Sequence, residues 1–112
     1  MSETPLVLSE RRDGWRLVRL NRPDKLNAFT EDLHRALMAA LLEAEADPEC
    51  RALLLTGSGR AFSSGQDLGD RIRAIKEGPL DLGASLKTFY EPLVARIRAL
   101  PFPVVVAING IA

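Results

Sequence analysis

The sequence predicts an α/β fold, and three observations carry that prediction. Short apolar runs alternate with longer stretches of helical periodicity. The longest helical stretch opens at a capping residue and closes at a proline. A turn containing Asp13-Gly14 separates the first two apolar runs, as in a hairpin.

Residues 6–10 and 15–20 read as two short strands joined at Arg12-Asp13-Gly14. Trp15, Leu17 and Leu20 mix the two faces of the second strand, so the pattern does not fix its register. Residues 21–25 form a loop, because Pro23 disfavours helical geometry at Arg22. Thr30 is a plausible N-cap for a helix reaching Ala46, with Glu31 and Asp32 favourably placed against the helix dipole. Leu33, Leu37, Leu41 and Ala44 give that helix one apolar stripe, and Asp47-Pro48 ends it. Residues 51–56 read as a buried strand, and Gly57-Ser58-Gly59 turns the chain.

A short helix is expected after Asp67, through Ile72 and Ile75. Another is expected from Asp81, carrying Leu82, Leu86, Phe89, Leu93, Ile97 and Leu100 on one side. Pro101 and Pro103 break it, and residues 104–108 read as the clearest buried strand of the chain, neighbouring 51–56. A buried strand ending so close to Ala112 reads as a truncated domain spanning residues 1–112, with an apolar face left uncovered.

The chain has 112 residues, room for one domain with a modest core. Its 15 basic and 15 acidic residues cancel, which argues against nonspecific nucleic-acid or anionic-membrane binding. No apolar run is long enough to cross a membrane, and residues 1–5 lack the pattern of a signal peptide. Cys50 is the only cysteine, so an internal disulfide and a cysteine-cluster zinc site are both excluded, and a cytoplasmic setting is expected. His34 is also alone, and no metal is expected. It reads as a surface residue of its helix, and Cys50 as a loop or semi-buried thiol.

Gly57, Gly59 and Gly65 do not make a nucleotide loop. A dinucleotide fingerprint would need glycine where Phe62 stands, and the Gly-Lys-Ser/Thr of a phosphate loop is absent. Ser63 and Ser64 lack both a nucleophile elbow and a base to activate them. Residues 61–68 say more. Small residues follow a strand there, and Asp67 stands where it would cap a helix. Backbone N–H groups in such a turn suit a carbonyl oxygen that gains charge during reaction. An ordinary strand–turn–helix connection would look the same.

Residues 21–28 resemble the first characteristic loop of the crotonase, or enoyl-CoA hydratase/isomerase, family. Residues 53–57 with 60–68 resemble its second, and residues 103–112 the strand and loop before its third. The resemblance implies the N-terminal portion of a spiral α/β fold of strand–strand–helix repeats, and an acyl-CoA thioester substrate. It implies that the backbone N–H of Gln66 is one of two donors polarising the thioester carbonyl in an oxyanion hole. Ser64, Gly65, Asp67 and Leu68 would line the same turn. Lys25, Leu26 and Ala28 match the loop that contacts CoA, where Lys25 could pair with a phosphate or be simply solvated. CoA belongs to the substrate, so no separate cofactor is implied.

The family's second donor, its catalytic carboxylates and the region supporting trimers and hexamers match nothing in these 112 residues. Asp67, Asp70 and Glu91 align with no family acid. The chain alone is therefore expected to be inactive. Within the family, residues 65–71 and 89–94 look closest to the ring 1,2-epoxyphenylacetyl-CoA isomerases of phenylacetate breakdown, which convert the epoxide to an oxepin. A plain enoyl-CoA hydratase of fatty-acid oxidation is the runner-up, and a non-catalytic fragment the reading from another class.

Overall fold

The structure is a computed structural model, and the residues it describes are 4–69, 72 and 86–112. β1 (Val7–Arg11) and β2 (Arg16–Leu20) pair antiparallel, with Val7 opposite Leu20 and Arg11 opposite Arg16. The chain then crosses through α1 (Glu31–Ala46) to β3 (Leu53–Gly57), which lies parallel to β2. A π-helical turn (Leu86–Tyr90) runs into α2 (Glu91–Ala99), and β4 (Val104–Val106) adds to β3, again parallel. The sheet order is β1-β2-β3-β4. Runs 51–56 and 103–108 are thus neighbours, as expected.

Local chemistry explains α1. Thr30 is extended, and its Oγ1 accepts from Leu33 N at 3.1 Å, satisfying one of the otherwise unbonded N–H groups. Leu33, Leu37, Leu41 and Ala44 are all buried, packing on Val18, Leu20, Leu53 and Leu55 of the sheet. Each leucine so buried contributes about 1.5–3 kcal/mol. From α2, Leu93 and Leu100 complete this core, with Ile97 against it. Arg96 joins Glu45 at 2.8 Å and ties α2 to α1.

Among the described residues, one charged side chain is buried in the frame. Arg16 is buried on the α1 side of β2, bonded to Asp47 at 3.2 Å and Glu43 at 3.0 Å. Burial opposes its charge, but the two carboxylates more than offset this and hold the guanidinium above its ordinary value. The Glu49 backbone N–H, followed by Arg16 and Arg11, holds the Asp47 carboxyl below its ordinary range against the opposing effect of desolvation.

Three expectations need correction. The strand at 104–108 is shorter and not buried: Val105 is 58% and Ile108 64% exposed. Among the described strands β4 is the last of the sheet, bonded to β3 on one side. The run 51–56 is buried on alternate residues, because α1 covers one face of β3 while Leu54 turns to the other. His34 is buried, not superficial, since the Phe89–Tyr90 turn packs over that flank of α1. Cys50 is a buried loop thiol. Leu68, Gly69 and Ile72 are helical, while Ile75, Asp81 and Leu82 lie outside the described residues.

Candidate functional site

Because β2, β3 and β4 are mutually parallel, the segments that follow them leave the same end of the sheet. This carboxyl end is where open parallel sheets place their ligands. The segments meet there.

After β2, Pro23–Lys25 forms a single 3-10 turn, and Leu26 and Asn27 follow in the left-handed region with φ of 53° and 54°. Asparagine tolerates that conformation better than most residues. Asn27 is fully buried and acts as the hub. Its Oδ1 accepts from Arg22 N at 2.7 Å. Its Nδ2 donates to Ser58 O at 3.0 Å and Ala61 O at 2.9 Å, reaching the loop after β3. Its own carbonyl accepts from Ser63 Oγ at 2.9 Å.

The two loops then run side by side. Ser64 N donates to Leu26 O, Phe29 N to Gly65 O and Asp67 N to Phe29 O, making a parallel bridge between Phe29 and Gln66. Gly65 has φ +105°, which L side chains rarely adopt. Arg22 clamps the outside, donating to Ala28 O at 2.5 Å and to Asp67 Oδ2 at 3.1 Å. From the third segment, Asn109 donates to Gly59 O and Ala61 O, and Ile111 O accepts from Phe62 N at 2.8 Å. A Cβ on Gly110 would stand 2.0 Å from Arg60 O, so this contact requires glycine.

Seven of the eight residues named from the sequence therefore sit in one interlocked pair of loops, and Leu68 begins the helical residues that follow. Lys25 is exposed at the 3-10 turn, Leu26 half-buried and Ala28 buried. Ser64, Gly65 and Leu68 are exposed, and Gln66 and Asp67 are half-buried. Asp67 directly precedes helical Leu68, with its carboxylate on Arg22. The Gln66 side chain accepts at Oε1 from Tyr90 Oη at 2.5 Å. Sequence reasoning missed Arg22, Asn27, Asn109 and Tyr90. The segments 21–28, 89–94 and 103–112 that carry the family resemblance contain them, but a motif does not name its residues' partners. Among the described residues no group of His, Cys, Asp or Glu is placed to hold a metal. No described helix is long and apolar enough to cross a membrane.

This fold and loop pair define a class. Residues 10–112 match the enoyl-CoA hydratase/isomerase family model. The chain belongs to the enoyl-CoA hydratase/isomerase family. It is 47% identical over 107 residues to a 1,2-epoxyphenylacetyl-CoA isomerase of Escherichia coli, covering 95% of this chain and 40% of that protein. It is 46% identical over 100 residues to a probable enoyl-CoA hydratase of Rhodobacter capsulatus, covering 89% of this chain and 37% of that one. The crystal structure of a putative enoyl-CoA hydratase/isomerase from Mycobacterium abscessus superimposes with a TM-score of 0.85 at 33% identity, covering 93% and 40% of the two chains. The fold is thus the crotonase-type α/β fold, and the chain spans about 40% of the length of these relatives.

Proposed function

We propose that these loops form the thioester-holding part of an enoyl-CoA hydratase or isomerase site. The observation that carries the reading is the parallel bridge between Phe29 and Gln66. Phe29 bonds the residues on either side of Gln66, so the N–H of Gln66 itself points away from the first loop. Asn27, Arg22 and Asn109 fix that turn before any substrate arrives. A donor held in advance stabilises the charge that develops on a thioester oxygen without reorganising during the reaction.

In this reading Ser64, Gly65, Asp67 and Leu68 line the turn, and Lys25, Leu26 and Ala28 border the CoA. Lys25, exposed at the loop tip, supplies a cation for a phosphate. No cofactor beyond the CoA of the substrate is needed. The identity to the isomerase of Escherichia coli supports an epoxyphenylacetyl-CoA substrate, and the nearly equal identity to the probable hydratase supports hydration as the second reading. We further propose a cytoplasmic homotrimer or hexamer as the assembled enzyme.

The test is steady-state kinetics on the complete protein with two variants. Gln66→Pro removes the N–H and should lower turnover by about 10²–10³, or roughly 3–4 kcal/mol. Gln66→Ala keeps the N–H and should stay within about tenfold of the parent. A folded Gln66→Pro protein with near-normal turnover would end the oxyanion role. Alanine as damaging as proline would transfer that role to the side chain.

A further inference from the structure

We infer that Tyr90 is a positioning residue, tethering the turn that carries Gln66 through its side chain while Phe29 holds it through the main chain; this rests on the oxyanion reading above. Its hydroxyl donates to Gln66 Oε1 at 2.5 Å, across 24 residues of sequence. Its ring stands edge-on to buried His34 at 4.4 Å and lies 6.3 Å from the Phe29 ring. His34 is itself packed against Phe29 at 4.7 Å and Phe89 at 5.3 Å. Four contacts thus close a circuit. Phe29 holds Gln66 through the main chain, the Phe29 and His34 rings hold Tyr90, and Tyr90 holds Gln66 through its side chain.

The circuit has a physical purpose. Gly65 gives the turn its left-handed bend but no side chain to restrain it. A donor that drifts by about 1 Å can lose much of its effect on rate. A tether from a second element limits that drift. Tyr90 ends a π-helical turn, a rare geometry that recurs at functional sites. The same packing gives His34 a role as the wall behind the tyrosine ring.

The test is a double-mutant cycle in the complete enzyme. Tyr90→Phe keeps the ring and its packing and removes only the donor. It should lower kcat about threefold to tenfold, the range of one net hydrogen bond, with KM within about twofold. Gln66→Ala with Tyr90→Phe should be no worse than Gln66→Ala alone, because both cut one tether. Deuterium exchange of a peptide covering residues 60–69 should quicken in Tyr90→Phe. Unchanged kcat, multiplying effects in the double variant, or a kcat loss without faster exchange would each overturn the inference. A neutral Tyr90→Phe beside an inactive Gln66→Pro would strike this inference alone. An active, folded Gln66→Pro would strike the oxyanion reading itself.

Discussion

Replacing Asn27 with alanine should destabilise the protein by about 3–5 kcal/mol, and the structure shows where that cost arises. The side chain is fully buried and makes three hydrogen bonds. Without it, Arg22 N loses its acceptor and Ser58 O its donor, at about 1–3 kcal/mol for each group left unsatisfied and less where water enters. Ala61 O is cushioned, because Asn109 Nδ2 still reaches it at 3.1 Å. Alanine must also adopt φ near +54°, adding about 1–2 kcal/mol. Glycine removes the same hydrogen bonds without that backbone cost, so Asn27→Gly should be milder than Asn27→Ala by about 1 kcal/mol. Denaturant unfolding followed by circular dichroism reads both changes as shifts in midpoint. For a domain whose whole stability is about 5–15 kcal/mol, the alanine shift would be hard to miss. A loss below about 1 kcal/mol, or glycine worse than alanine, would refute the hub assignment.

Two more outcomes follow from the frame. The carboxyl of Asp47 is depressed below 3.8 in the fold by the Glu49 N–H and by Arg16 and Arg11, so its stabilising contribution is present above that value and lost as pH falls through the folded-state one. The stability gap between parent and Asp47→Asn should therefore narrow on acidification, and urea titrations showing a constant gap into strong acid would disprove the linkage. Val105, Val106 and Ile108 are 58%, 47% and 64% exposed, so the 112-residue protein should take up a hydrophobic dye and self-associate, less so in Val105→Lys with Ile108→Lys. A monodisperse parent monomer without dye uptake, seen by ultracentrifugation, would count against that surface.

The sequence by itself determined what depends on neighbours along the chain. Thr30 as cap, the stripe Leu33–Leu37–Leu41–Ala44, the hairpin and the order of the four strands with α1 between the second and third all appeared in the structure. The two loop motifs were also visible as motifs. Their contact was not. Arg22 meets Asp67 across 45 residues, and Asn27 meets Ala61 across 34, because parallel β2 and β3 release both loops from one end of the sheet. Residue spacing carries no sign of that meeting. His34 read as exposed because its own helix has one apolar stripe, yet the Phe89–Tyr90 turn covers a second flank of α1. The valines of β4 read as buried because apolar runs usually are, yet only Val104 reaches the core, and Val105 and Val106 face water on opposite faces of the sheet. Periodicity reports what a segment can bury; only the packed sheet and helices decide whether anything lies against it.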